Sequence, residues 1–150
     1  MNDLMVMNKT EDEEKQYIVF RINKEYFGMD IFDINSIIMM PEITKMPKAP
    51  EYMQGVINLR GHVVPIMSLR KRMNYGEENI TKDSRIIIVN LENDELMGVI
   101  VDDVKEVMII PTSEIVESSP FVKREDSFIR GVGKKNDELI SIFEIGKLVA

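Results

Sequence analysis

The stretch Asn58-Leu59-Arg60-Gly61 combines residue types and spacing that point to recognition chemistry. Strand-like runs flank it at residues 55–59 and 63–69. Gly61 allows the positive φ that a tight turn needs, and the Asn58 side chain can bond the neighbouring backbone. Arg60 is then projected from a turn, where its planar fork of donors suits carboxylates or carbonyls on a partner. The other reactive side chains make no constellation. His62 is the only histidine, and a general base needs both a nucleophile and an orienting group. Ser68, six residues on, lacks the G-x-S-x-G elbow of a hydrolase. Asp102-Asp103 follows an apolar strand and has the charge for Mg²⁺. Neighbours in extended chain point to opposite faces, so Asp103 reads instead as a cap or turn residue. The chain has no cysteine, which excludes thiol nucleophiles, disulfides and Cys-ligated metals. Phosphate-binding glycine loops and EF-hand spacing are missing too. The reading is therefore a non-enzyme with no cofactor and no metal.

The 150 residues carry 19 basic and 26 acidic side chains, a net charge of −7. That balance disfavours nucleic acid, whose binding rests largely on neutralising phosphates. The small basic patch Arg70-Lys71-Arg72 reads as the solvated end of a strand. Twelve methionines serve either as flexible core filler or as an adaptable binding surface; core is the favoured reading. No apolar run approaches a membrane span, and the start lacks the basic segment of a signal peptide.

Positioning these residues falls to short strands. Residues 1–14, ending in an acidic run, read as a mobile tail, with order beginning at Gln16. Residues 17–22 and 26–31 form a hairpin around a polar turn. A helical turn capped by Asp33 is expected over residues 33–38, and another after Pro50 over residues 51–54. Pro65 marks its strand as an edge or a bulge. Strands are expected again at 85–91, 96–101, 104–110, 128–133 and 138–142. A long polar loop spans 117–127, and a short helix spans 143–149.

The order of these elements repeats. Gly28 and Gly98 lie 70 residues apart, as do Asp33 and Asp103, Ile34 and Val104, and Ile37 and Val107. Phe20 matches Val89 at an offset of 69. Gly55-Val56 matches Gly131-Val132 at an offset of 76, and Ile66, Leu69 and Lys71 match Ile142, Ile145 and Lys147 at that same offset. Two similar β subdomains of 65–70 residues follow, too small to be stable apart.

Residues 55–61, continuing to Val64-Pro65-Ile66 and Leu69-Arg70, resemble the signature of the CheW family of chemotaxis coupling proteins. So do residues 26–31, Pro47 with Pro50, residues 98–104, and the closing Gly131 and Leu139-Ile140 region. The resemblance covers about residues 16–150. It implies a mainly β fold of two similar five-stranded SH3-like β-barrel subdomains packed together, with short helices. It also implies a non-catalytic cytoplasmic adaptor that couples the tips of methyl-accepting chemoreceptors to the regulatory domain of the CheA histidine kinase. By the same resemblance Asn58, Leu59, Arg60 and Gly61 fall in the receptor-contact region, with Gly55 and Ile34 nearby. Phe121, an aromatic in the polar loop, is a candidate for kinase or array contact. Ser36 and Ser68 depart from the family, which often has acidic residues there. The alternative is an SH3-like peptide-binding module outside chemotaxis.

Overall fold

Residues 86–89, Ile-Ile-Ile-Val, have no polar face, and all four are fully buried. A strand with both faces covered sits inside a layered fold rather than on a solvated sheet. The computed structural model describes residues 13–117 and 128–148. It contains eleven strands: β1 (Glu14–Ile22), β2 (Glu25–Asp30), β3 (Ile34–Met39), β4 (Met53–Leu59), β5 (His62–Ser68), β6 (Arg85–Asn90), β7 (Leu96–Val101), β8 (Asp103–Pro111), β9 (Ile115–Glu117), β10 (Ile129–Lys135) and β11 (Glu138–Phe143). Two one-turn helices, α1 (Leu69–Arg72) and α2 (Ile145–Leu148), follow β5 and β11.

The strands form two sheets, in the orders β8-β1-β2-β11-β10-β9 and β3-β6-β7-β5-β4. The expected duplication is present down to register. Gly28 pairs with Ile142 and Gly98 with Ile66, both in parallel ladders. Gly55 pairs with Ile66 and Gly131 with Ile142. The sixth strand, β9, escaped the sequence reading; at the matching place the other sheet has a single bridge, Thr44 to Val56.

The repeats are not, however, two consecutive halves. The β1–β2 hairpin pairs with β8 and β11 from the second half, and the β6–β7 hairpin pairs with β3 and β5 from the first. Each sheet is thus closed by strands from both halves. The hairpins turn one face inward and one toward each other. Tyr17 and Val19 face the interior of the first sheet, and Ile86 and Ile88 that of the second. Ile18, Phe20 and Ile22 meet Ile87, Val89 and Val99 in a third cluster shared by both sheets. Phe143 stacks there on Phe20, Phe27 and Phe128, with centroids 5.3–5.9 Å apart.

Several local expectations are corrected. Strand β1 starts at Glu14, opposite Pro111, two residues before the expected order at Gln16. Residues 31–33 form a 3-10 turn capped by Asp30, whose carboxylate accepts the Phe32 N–H. Residues 34–39 are strand rather than a helical turn capped by Asp33, because β6 offers them a ladder. Residues 51–52 are a simple turn, and β4 begins at Met53. Leu69 opens α1 instead of ending a strand, with the buried Ser68 hydroxyl accepting the Lys71 N–H as its cap. Pro65 lies on an interior strand, yet it pairs only with Val56; the ladder to β7 starts at Ile66, so no donor is missed there. The closing helix starts at Ile145 rather than Phe143, because Phe143 ends β11; residue 149, its expected end, lies outside the described residues. Residues 1–12, most of the expected tail, and residues 118–127, with Phe121, lie outside the described residues.

Gly55 holds β4 to its neighbour. Its φ is +146°, and a Cβ there would sit 2.1 Å from the Thr44 carbonyl oxygen. Gly55→Ala is expected to cost about 2 kcal/mol or more, read as a lower midpoint in urea unfolding. Because each sheet takes strands from both halves, the two sheets should unfold in one transition, seen as coincident circular dichroism and tyrosine fluorescence curves.

Candidate functional site

The β4–β5 hairpin closes on a two-residue turn, Arg60-Gly61, with Leu59 paired to His62. Both central residues have positive φ, 52° and 86°, as a type I′ connection requires. The Asn58 carboxamide oxygen accepts the Gly61 N–H at 2.9 Å, which fixes the turn from inside. Asn58, Arg60 and Gly61 are exposed and Leu59 is half-buried. Among the described residues the Arg60 guanidinium has no hydrogen-bond or ion-pair partner. A non-glycine residue in the left-handed region carries a local cost. At the matching tip of the second repeat the chain uses Asn136 and Asp137, at φ 52° and 65°, residue types that tolerate this conformation. The first tip places an arginine where the fold would favour asparagine.

The other two residues expected near the receptor contact are placed differently. Gly55 is buried against Thr44, so it can act only by shaping β4. Ile34 is half-buried at the start of β3, at the other margin of the sheet, where it packs on the shared cluster. Beyond Ile34, Ile37 and Met39 are exposed; Val107 and Ile109 are exposed at the matching positions of β8. Ile37 pairs with Ile87, and Val107 with Ile18, both members of the shared cluster. Each edge strand therefore carries the apolar face of the inter-sheet core out to solvent. No functional role was read for these residues from sequence, because period-two alternation looks the same on an edge strand as on an interior one.

The charged residues near the sheet junction are structural. Asp102 is buried and accepts from Arg70 Nε at 2.9 Å, from Arg70 Nη2 at 2.6 Å and from the Asn23 N–H at 2.8 Å. Its own N–H donates to the Arg21 carbonyl at 3.0 Å. The pair joins the β1–β2 turn to α1 of the other sheet. Burial pushes the Asp102 carboxyl up, but the Arg70 guanidinium and the Asn23 N–H outweigh that and hold it below the usual carboxylate value. Asp103 faces Lys105 at 3.7 Å and shares no site with Asp102. No group of acidic or histidine side chains suited to a metal occurs among the described residues. Glu78 enters from the loop after α1, where Oε2 takes the Ser68 hydroxyl and Oε1 is buried without a partner. Burial raises its carboxyl above the usual value.

Arg70-Lys71-Arg72 is thus not a solvated strand end. Arg70 holds Asp102. Arg72 lies 5.0 Å from the Tyr52 ring centroid and 5.5 Å from that of Phe128, and its Nε donates to the Leu148 carbonyl. His62 is exposed at the start of β5, with Val63 exposed beside it.

The chain matches the family model described as "CheW-like domain" over residues 16–150. It is 32% identical over 144 residues to a chemotaxis protein CheW of Helicobacter pylori, covering 95% of this chain and 87% of that one. It is 34% identical over 131 residues to a chemotaxis protein CheW of Bacillus subtilis, covering 87% and 83%. Among solved structures it is similar to the scaffolding protein TtCheW from Thermoanaerobacter tengcongensis, with a TM-score of 0.84, 37% identity, and coverage of 92% and 89%.

Two outcomes are expected from this geometry. Arg60→Asn should stabilise the fold by about 0.5–1 kcal/mol, measured by urea unfolding, because asparagine meets the same φ at less cost. Asp102→Asn should cost about 3 kcal/mol at neutral pH, because it strands a buried guanidinium. The Asp102 carboxyl titrates lower in the folded state than in the unfolded chain. Its contribution is therefore complete above the unfolded value and lost as pH falls through the folded one. An acid titration of stability should be shallower in the variant.

Proposed function

The chain belongs to the CheW-like family, and on that premise we propose that it is a non-catalytic adaptor coupling methyl-accepting chemoreceptor tips to the CheA histidine kinase in signalling arrays. The observation that carries the receptor contact is Arg60, exposed and without a partner among the described residues, on a turn whose backbone conformation favours other residues. Residues held at a local cost collect where a task requires them. The rigid hairpin presents the guanidinium as a fixed fork for carboxylates or carbonyls of a receptor helix. Receptor helices lay apolar side chains along the groove between the sheets, against Ile34 and the exposed rows Ile37-Met39 and Val107-Ile109. Gly55 acts by setting the course of β4, and Leu59 and Asn58 by holding the turn. Phe121 is assigned to the kinase or array side. The adaptor works in the cytoplasm and reaches the membrane through its partners; among the described residues no helix is long and apolar enough to cross one.

The test is a titration of isotope-labelled chain with a soluble receptor signalling-tip fragment, then with the kinase regulatory domain. Shifts at residues 58–61 with receptor and at a separate patch with kinase are expected. Arg60→Glu should weaken receptor binding about tenfold or more, roughly the loss of one charge-assisted contact, with the unfolding midpoint unchanged. Wild-type receptor affinity in that variant overturns the role of Arg60. Absence of shifts with both partners in a folded sample overturns the coupling and leaves a peptide-binding module of another system.

A further inference from the structure

The chain has neither cysteine nor tryptophan, so methionine is its most readily oxidised side chain. The fold grades the methionines by exposure. Met29, Met67 and Met97 are buried in the core between the sheets. Met53 and Met73 are half-buried against that core, while Met40 and Met108 pack on the interiors of the second and first sheets. Among the described residues only Met39, at 70% exposure, and Met46, at 44%, stand in the open.

The two exposed methionines sit in different places. Met46 lies in the loop before Pro47, away from any strand. Met39 ends β3, two residues after Ile37 and therefore on the same face of the strand. It completes the exposed apolar row that carries the inter-sheet core out to solvent. The corresponding position of the second repeat, at the offset of 70, is Ile109. Isoleucine has no sulfur to oxidise, so only the row on β3 is chemically labile.

We propose that Met39 is a site of reversible oxidation, by which a peroxide weakens docking on the β3 row; this rests on the assignment of that row to receptor helices. The step is an oxygen transfer. A lone pair of the Met39 sulfur attacks one oxygen of hydrogen peroxide, the O–O bond breaks, and sulfoxide and water result. The sulfur gives up two electrons and the peroxide gains them. A methionine sulfoxide reductase restores the thioether with two electrons from a dithiol, which becomes a disulfide while the oxygen leaves as water. In the free chain the sulfoxide faces water on an edge strand, so the fold is undisturbed. Under a docked helix the same oxygen is buried among apolar side chains, where a polar group without a donor is costly. Oxidation therefore acts on the complex and not on the free chain, as a shift in affinity requires. A docked helix in turn shields the sulfur.

The test treats the whole chain with dilute hydrogen peroxide and maps sulfoxides by peptide mass spectrometry. Met39 and Met46 should oxidise before Met29, Met67 and Met97. Affinity for the soluble receptor-tip fragment should fall about tenfold, the size of one buried polar group left unpaired. The urea midpoint should stay unchanged, and reductase treatment should restore binding. Met39→Leu should bind as the untreated chain does and keep that affinity in peroxide, whereas Met46→Leu should stay sensitive. Met39→Gln, with a polar end on a side chain of similar length, should weaken binding without oxidant. Saturating receptor fragment should slow oxidation of Met39 and not of Met46. Wild-type affinity in the Met39-oxidised chain, or an equal loss in peroxide-treated Met39→Leu, overturns the switch while the receptor assignment stands. Absence of binding by the reduced chain overturns that assignment and the switch with it.

Discussion

The apolar layer between the two sheets is the contact on which the rest depends. Each hairpin, β1–β2 and β6–β7, is apolar on both faces, and neither sheet alone can cover the outer one. Meeting back to back buries Ile18, Phe20 and Ile22 against Ile87, Val89 and Val99. Each hairpin is also clasped by strands from the other half of the chain, so the layer cannot open without breaking both ladders. A scaffold of the CheW-like family needs such a body, in which opposite surfaces keep a fixed relation.

Polar contacts at the same junction fix how the sheets meet. The Arg70–Asp102 pair adds directional bonds from α1 and the β1–β2 turn. A buried pair of this kind contributes less net stability than its length suggests, since desolvation offsets much of the attraction, but breaking it leaves a stranded charge. Arg72 lies between Tyr52 and Phe128, residues that correspond in the two repeats. A single side chain thus bridges two matching positions, and the duplicated body becomes asymmetric at its centre.

That asymmetry extends to the surface. The repeat conserves what the ladders require, glycine opposite isoleucine at the parallel pairings. It leaves turn tips and edge rows free to change. Arg60 against Asn136, and Met39 against Ile109, are changes of chemistry on nearly constant geometry. Duplication supplies two equivalent surfaces, and substitution at exposed positions gives them different chemistry.

How much of this was legible in the sequence follows from the range of the forces involved. Alternation of apolar residues gave the strands, and spacings of 70 and 76 gave the repeat, because both reflect local backbone geometry. The Asn58–Gly61 turn was legible for the same reason: Gly61 and Asn58 act within three residues. Arg70 and Arg72 read as solvated because their partners, Asp102, Phe128 and Leu148, lie far away in the chain. The helical turns expected at residues 33–38 and 51–54 became strand and turn because a neighbouring strand, invisible locally, offered a better ladder. Which half each hairpin joins, and hence that Ile37 and Val107 stay exposed beside a common core, is set by burial of surfaces distant in sequence. The sequence by itself determined most of the strands, the repeat and the Arg60-Gly61 turn; the tertiary structure alone decided β3 and β9, the exchange of hairpins and the buried ion pair.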